Sequence, residues 1–254
     1  MLTNSLIPCN GRFPTLIALL SLFFVVSGGL LGSVISALSL TALILLSVLA
    51  TLVCSKLLSC TVLKGTPSSF TLELPPYRRP EVGKVIVRSV FDRTLFVLGR
   101  AVAVAAPAGL LLWCLANVSI DGMTLLRWLS GWLDPIGRLL GMDGVILLSF
   151  LLALPAAEIV IPVMLMTYTG GSSLMEYTAL SELKTVLTAN GWTALTALCV
   201  MIFMLFHFPC STTLMTIKKE SGGWKWAILA AVMPTVLGTL LCFLIATAAK
   251  LWIF

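Results

Sequence analysis

Long apolar runs separated by short polar connectors dominate the chain. They cover residues 13–27, 33–54, 95–117, 145–166, 192–208 and 226–254. A membrane-spanning helix needs about 20 predominantly apolar residues, so the pattern predicts an all-α, polytopic integral membrane protein. The first run is short for a complete span. It predicts either a half-helix, a re-entrant segment, or a helix that extends back through Leu6 and Ile7.

Two stretches far apart in the chain repeat one pattern. Residues 7–16 and 208–217 each contain Pro-Cys, a small polar residue, four variable positions, Thr and an aliphatic residue. Proline lacks a backbone donor and starts or interrupts a helix, so each stretch predicts a break where free backbone groups meet a thiol. Transporters build ion sites from such paired broken helices in two related halves. The alternative is two ordinary helix-start prolines beside buried cysteines.

A glutamate interrupts the fourth apolar run. Glu158 lies between Pro155 and Pro162, and a charged residue at the centre of a membrane helix costs about 2.5–3.5 kcal/mol on insertion scales. We therefore expect it to face the protein interior. It is either a protonated acid bonded to a neighbouring helix, or part of a cation or proton site to which carbonyls freed by the prolines contribute. His207, the only histidine, is interpreted as a ligand, a proton relay or a packing residue.

Composition supports the membrane interpretation. Hydrophobic residues make up 59% of the chain and charged residues 10%, against about 45–50% and 25% in soluble domains. The net charge of +6 concentrates in connectors, above all residues 56–100, so the positive-inside rule makes that segment cytoplasmic and the lipid bilayer, not nucleic acid, the partner. The seven cysteines are an odd number and several lie in apolar runs, so reduced thiols are expected.

Three connectors carry further predictions. Residues 82–91 predict a surface-lying helix before the third span, and residues 124–140, with two tryptophans and several charges, predict an interfacial helix. Residues 167–190 are expected to be a polar connector. If the chain starts in the cytoplasm and the crossings are counted strictly, the lysines after the fifth run lie on the outer side of the membrane. The positive-inside rule disfavours that position. Either that loop is an exception or, as we prefer, the fifth run is re-entrant. These lysines are Lys218, Lys219 and Lys225.

Enzymatic chemistry is not indicated. The chain has no Gly-x-x-x-x-Gly-Lys-Ser/Thr loop, no His-Glu-x-x-His and no Cys-x-x-Cys, so P-loop nucleotide hydrolysis is not expected. His207 near Cys210 is not a catalytic triad. We expect no permanently bound cofactor.

Five ordered motifs resemble the membrane region of the ferrous iron transport protein B (FeoB) family. They are residues 8–15 (PCNGRFPT), 72–78 (LELPPYR), 93–101 (RTLFVLGRA), 155–162 (PAAEIVIP) and 208–214 (FPCSTTL). The resemblance implies paired Gate segments, a FeoB C-terminal core between them, and Fe(II) uptake across the bacterial inner membrane. It places the family's Gate cysteines on Cys9 and Cys210 and its intramembrane glutamate on Glu158.

The resemblance also implies an organisation into four segments. These are a first Gate segment at 1–54, a basic proline-rich loop and surface helix at 55–94, a FeoB_C-like core at 95–190, and a second Gate segment at 191–254. Family members carry a GTP-binding domain and a further Gly-Cys-x-Val-Pro helix before this region. Their absence from the sequence leads us to expect that a GTPase on a separate chain controls the protein. The other partner considered is a second copy of the chain.

The resulting hypothesis is a permease for Fe(II), the transported ion. Cys9 and Cys210 would be soft metal ligands and Glu158 a hard one, because Fe(II) is borderline in softness. Weak sequential sites suit conduction better than one closed cage. The alternatives are a Gate-type carrier for another divalent cation or a nucleoside, and a non-transporting subunit that docks a GTPase. Polar residues expected along the pathway are Asn10, Ser211, Thr212 and His207.

Overall fold

The computed structural model describes residues 2–24, 30–61, 81–120, 122–171, 174 and 179–253. Almost all of them are helical, which confirms the all-α class. The helices are α1 (Phe13–Phe23), α2 (Leu30–Cys60), α3 (Val82–Arg88), α4 (Phe96–Asn117), α5 (Leu125–Leu139), α6 (Gly144–Leu152), α7 (Val160–Thr169), α8 (Leu180–Ala189), α9 (Ala194–Phe206), α10 (Ser211–Ser221) and α11 (Trp224–Ile253). Short 3-10 turns lie at Leu2–Leu6, Asn10–Arg12 and Ala157–Ile159, a π-helical turn lies at Ser89–Leu95, and β1 (Ser119–Ile120) pairs antiparallel with β2 (Met123–Thr124).

Five segments of the described residues are long and apolar enough to cross a membrane, so the chain is a multi-pass membrane protein. They are Leu2–Phe23, Gly32–Cys60, Val82–Asn117, Ala194–Ser221 and Trp224–Leu251. The first segment extends back beyond Leu6, as one of the alternatives predicted. A helix is present where one was expected at 82–91: α3 continues through the π-helical turn into α4 as one 36-residue segment. Its position at the membrane surface stays a prediction. The proline-rich loop falls mostly on residues 62–80, outside the described residues.

The fourth apolar run is a re-entrant hairpin rather than one continuous segment. The chain breaks at 153–156, between α6 and the 3-10 turn that leads into α7. These helices have 9 and 10 residues, so each is about 15 Å long, half of a bilayer core. Tyr168, near the end of α7, donates a 2.5 Å hydrogen bond to Asp143, which precedes α6. The hairpin therefore returns to the end of the bundle from which it entered.

The contacts at the two ends of the bundle settle the problem of the three lysines. At one end, Leu2, Leu58, Ile217 and Trp226 line one surface cavity, so the α10–α11 connection lies beside the end of α2. At the other end, Phe23 stacks on Trp192 with ring centroids 6.0 Å apart. The preference for a re-entrant fifth run was wrong: Ala194–Ser221 forms one broken span of 28 residues. Lys218, Lys219 and Lys225 thereby lie at the same end as Lys56, in agreement with the charge rule.

Helix α9 forms the centre of the core. Every residue from Cys199 to Phe206 is buried, because a helix that is apolar on all faces has no side to present to water. Helices α11, α1 and α2 pack around it. The connector expected at 167–190 contains α8, whose Leu183 and Leu187 are buried in the core. Their spacing of four residues was the helical signal that the sequence interpretation overlooked.

Helix α5 is strongly amphipathic, as expected of an interfacial helix, and it meets α6 at 110°. Their close approach depends on Gly144. A Cβ atom there would lie 1.9 Å from the carbonyl oxygen of Ser130 and 2.6 Å from the backbone nitrogen of Asp134. Because both atoms belong to the backbone, a larger residue would force the two helices apart.

Candidate functional site

Three breaks in membrane helices meet at one point. Cys9 precedes the Asn10–Arg12 turn and Cys210 precedes α10, each in an extended conformation with ψ of 165° and 154°. The third break is the tip of the α6–α7 hairpin. The backbone N–H of Ser211 donates a 2.9 Å hydrogen bond to the carbonyl of Leu154, which ties the hairpin tip to the second Pro-Cys break. The repeated pattern thus forms the same local structure twice, as the sequence predicted.

A cavity of about 220 Å³, hereafter the first cavity, opens where the breaks meet. Its lining includes Cys9, Cys210, Glu158 and His207. The structure therefore brings together four of the predicted site residues, drawn from both ends of the chain and its middle. Asn10, Ser211 and Thr212 are not part of this lining. Of these three, Thr212 acts through Cys210, since its hydroxyl lies 3.1 Å from Cys210 Sγ.

The environment of Cys210 suits a negatively charged sulfur. Its Sγ lies 3.1 Å from the hydroxyl of Thr212 and 3.1 Å from that of Thr213. Cys210 also stands at the N-cap of α10, where the helix dipole favours negative charge. Hydroxyl donors and a helix N-terminus are the groups that stabilise a thiolate ligand. Cys9 is more exposed, at the start of a turn of only three residues.

His207 lines the first cavity with a buried imidazole ring. The side chain is only 3% exposed and packs against Phe150, with ring centroids 5.1 Å apart. Its Nδ1 lies 2.9 Å from the carbonyl oxygen of Met204, and a carbonyl only accepts, so Nδ1 carries the proton in this pairing. The lone pair is then on Nε2, and a backbone bond of this kind commonly orients a histidine that binds a metal.

Glu158 is exposed at the first cavity and close to Gly11. A Cβ atom at Gly11 would lie 3.0 Å from both Cγ and Oε1 of Glu158. The carboxylate thus lies over the turn that follows Cys9. This position differs from the expectation of a protonated acid buried against a neighbouring helix. It leaves the carboxylate oxygens accessible to a hydrated cation.

Arg12 is the site residue that sequence reasoning missed. Its side chain is 3% exposed, and its guanidinium donates to the carbonyls of Leu205 at 2.9 Å, His207 at 3.4 Å, Phe208 at 3.4 Å and Ser5 at 3.5 Å. Arg12 thereby joins the first Pro-Cys break to the end of α9. The signal was available, because an arginine next to an apolar run calls for a partner by the argument applied to Glu158.

Several carbonyls freed by the breaks already accept hydrogen bonds. Leu154 accepts from Ser211, and Leu205 accepts from Arg12. Met204 accepts from the His207 ring. The expectation that freed carbonyls add ligands is therefore modified, since these particular oxygens stabilise the breaks. Among the residues that the structure describes, no group of three or more His, Cys, Asp or Glu side chains is close enough to hold a metal ion.

Family models match two parts of the chain. The model "Ferrous iron transport protein B C terminus" (FeoB_C) matches residues 40–93, and the model "Nucleoside recognition" (Gate) matches residues 98–224, half of the chain. The chain belongs to the FeoB family. It corresponds to the C-terminal membrane region. The matched ranges differ from the four segments expected from the motifs, and that division stays a prediction.

Curated relatives agree with this assignment. The Fe(2+) transporter FeoB of Staphylococcus aureus (strain MSSA476) is 26% identical over 256 residues, with 96% of this chain and 35% of the relative covered. FeoB of Methanocaldococcus jannaschii is 25% identical, with 99% and 37% covered. A fusion protein of Fe(2+) transport protein A and FeoB from Porphyromonas gingivalis is 24% identical, with 96% and 33% covered. The chain thus spans about a third of these relatives. No solved structure matches it.

Proposed function

We propose that this chain is the membrane permease part of an Fe(II) transporter in the bacterial inner membrane. The observation that carries the proposal is the first cavity, which collects two thiols, a carboxylate and an imidazole at the junction of three helix breaks. Membership of the FeoB family supports the choice of iron. A GTPase on a separate polypeptide and assembly with further copies of this chain are part of the same proposal.

The donor set suits transient binding of Fe(II). Thiolate, imidazole and carboxylate together match a borderline divalent cation, and ligands spread around an open cavity bind more weakly than a closed tetrahedral cage. Weak binding allows the ion to leave as well as to enter. Cys210 would bind through sulfur and His207 through Nε2, while Glu158 replaces water oxygens.

Uptake of radioactive Fe(II) by cells that express the chain with its GTPase tests the proposal. Cys9→Ser, Cys210→Ser and Glu158→Gln should each lower uptake by about tenfold or more, because each removes a ligand from the path. Cys60→Ser and Cys114→Ser are matched controls, since both cysteines are exposed and neither lines the cavity. Unchanged uptake in all three ligand variants would contradict the proposal.

One rival is favoured by the description of the Gate model, nucleoside recognition. A nucleoside carrier requires stacking and hydrogen-bonding groups rather than thiol ligands. Its uptake of nucleosides would therefore be unaffected by Cys9→Ser and would not compete with Mn(II) or Co(II). Competition of Fe(II) uptake by these metals, with no effect of added nucleosides, supports the cation carrier.

A further inference from the structure

A second cavity lies on the other side of Cys9, Arg12 and Cys210. It also has a volume of about 220 Å³, and its lining includes Asn4, Ser5 and Thr213. Cys9, Arg12 and Cys210 line both cavities, whereas Glu158 and His207 line only the first. These three residues therefore form the wall between two compartments. The second cavity lies toward the Leu2–Leu6 turn, which is at the basic end of the bundle.

The charge in this wall is positive and nearly enclosed. Arg12 is 3% exposed, and its guanidinium is held by backbone carbonyls of Ser5, Leu205, His207 and Phe208. Within the described part of the chain it forms no ion pair with a carboxylate, and its Nε is buried without a hydrogen-bond partner. Carbonyl dipoles reduce the cost of burying this charge but leave its net value unchanged.

A fixed positive charge in such a wall acts on ions in both cavities. Two like charges repel more strongly in a poorly solvated site than in water, so a divalent cation in the first cavity is opposed by Arg12 when it moves toward the second. The contacts of Arg12 with Leu205, His207 and Phe208 also hold the two Pro-Cys breaks together. Displacement of the guanidinium would remove both the positive charge and these carbonyl contacts.

We propose that Arg12 is the barrier residue between two cation compartments in series, and that a divalent cation passes only when the guanidinium moves out of the wall. This inference rests on the proposed function, because it assigns the closed state of the same path. It gives the second cavity a role as the compartment on the basic side. The hydroxyls and amide of Ser5, Thr213 and Asn4 suit a hydrated ion there.

The charge of Arg12 can be measured at the neighbouring thiols without any iron. The purified full chain in lipid vesicles is treated with two methanethiosulfonates of similar size, the cationic trimethylammonium-ethyl reagent and the anionic sulfonatoethyl reagent. Modification of each cysteine is followed by peptide mass mapping. In Arg12→Gln the ratio of cationic to anionic rates at Cys9 and Cys210 should rise about tenfold, since the reagents then meet no positive charge. Arg127→Gln, which changes an exposed arginine outside both cavities, should leave the ratio unchanged.

Arg12→Lys separates the effect of the positive charge from the effect of the carbonyl contacts. Lysine keeps the positive charge but lacks the planar fork that contacts several carbonyls, so the folded variant should keep the native rate ratio. If Arg12→Gln does not fold, the inference is tested by the lysine variant and by the native chain, in which the ratio should be lower at Cys210 than at exposed Cys60. The proposal is rejected if the ratio is unchanged in folded Arg12→Gln or altered in folded Arg12→Lys. It is also rejected if Cys210 and Cys60 show equal ratios in the native chain.

Movement of metal provides the second measurement. Vesicles that contain Arg12→Gln and an internal Mn(II)-quenched dye should admit Mn(II) down its gradient about tenfold faster than native vesicles, in the absence of any GTPase. No increase in the folded glutamine variant would overturn the barrier. Failure of the ligand variants to change iron uptake, with an altered thiol ratio in Arg12→Gln, would instead remove the proposed function and leave the charge assignment intact.

Discussion

Glu158 lies directly over Gly11, and only the missing side chain of the glycine leaves room for it. A Cβ atom at Gly11 would approach Cγ and Oε1 of Glu158 to 3.0 Å. The contact joins the tip of the α6–α7 hairpin to the turn that follows Cys9. Since Glu158 ends in a flexible carboxylate, it can move away from a methyl group without disturbing the backbone.

Gly11→Ala should therefore lower Fe(II) uptake while the protein stays folded. The methyl group forces the carboxylate to shift by a few tenths of an ångström, and a loss of about threefold in uptake is expected. Thermal unfolding should change little. Gly109→Ala is the matched control, because nothing lies within 4 Å of its added Cβ and alanine favours a helix interior. Native uptake by Gly11→Ala would show that the position of Glu158 is not important.

Gly144→Ala should destabilise the fold rather than the site alone. Its Cβ would lie 1.9 Å from the carbonyl oxygen of Ser130, so helices α5 and α6 must separate. We expect a loss of about 2–3 kcal/mol or more in the free energy of unfolding, measured by thermal unfolding in detergent. Gly131→Ala changes α5 one residue away from Ser130, where nothing lies within 4 Å. Equal stability of the two variants would contradict the close helix crossing.

Tyr168 connects the two ends of the hairpin to α9. Its hydroxyl donates to Asp143 Oδ2 at 2.5 Å and accepts from Trp192 Nε1 at 3.0 Å. Tyr168→Phe leaves both partners without this bond, so a loss of about 1–3 kcal/mol is expected. Trp192→Phe provides the second arm of a double-mutant cycle. A coupling energy near zero, measured from the unfolding of both single variants and the double variant, would show that the two bonds do not act together.

The arrangement of the bundle ends predicts a labelling pattern. Glu220 and Lys250 are both exposed. Glu220 lies at the end of α10, next to the start of α11, and Lys250 lies near the far end of α11. In right-side-out and inverted vesicles, a membrane-impermeant maleimide should label Glu220→Cys from the same side as native Cys60, and Lys250→Cys from the opposite side. Labelling of all three from one side would contradict the crossing of α11. The side shared by Cys60 and Glu220→Cys should be cytoplasmic, because the basic residues gather there.

The sequence predicted the helix breaks around the candidate site better than the folding of the segment between them. Pro-Cys pairs mark helix breaks through local backbone chemistry, so the breaks at Cys9 and Cys210 were predicted from residue types alone. The Glu158 segment was recognised for the cost of a charge in lipid. Its folding into a hairpin was not, because a continuous apolar run has the same pattern in one long helix and in two short ones. The contact between Asp143 and Tyr168, 25 positions apart, shows that the two helices form a hairpin.

Arg12 shows a different limit of sequence reasoning. Three of its four carbonyl partners lie at the far end of the chain, 193 positions away in the case of Leu205. Every residue type has a backbone carbonyl, so no pattern of side chains announces such a bond. Sequence reasoning would suggest an acidic residue as the partner of Arg12. No acidic residue pairs with it in the part of the chain that the structure describes. Helix α8 was overlooked for a simpler reason, since its short apolar stripe is diluted by polar positions.

The α6–α7 hairpin enters and leaves at one end of the bundle, while the basic residues gather at the other. Its tip contacts the Asn10–Arg12 turn through Glu158 and the N-terminus of α10 through Leu154. Helix α10 begins at the hairpin tip, where Ser211 bonds Leu154, and its 11 residues end beside Leu2 and Leu58 at the basic end. One short helix therefore joins the surroundings of Glu158 to the basic end of the bundle.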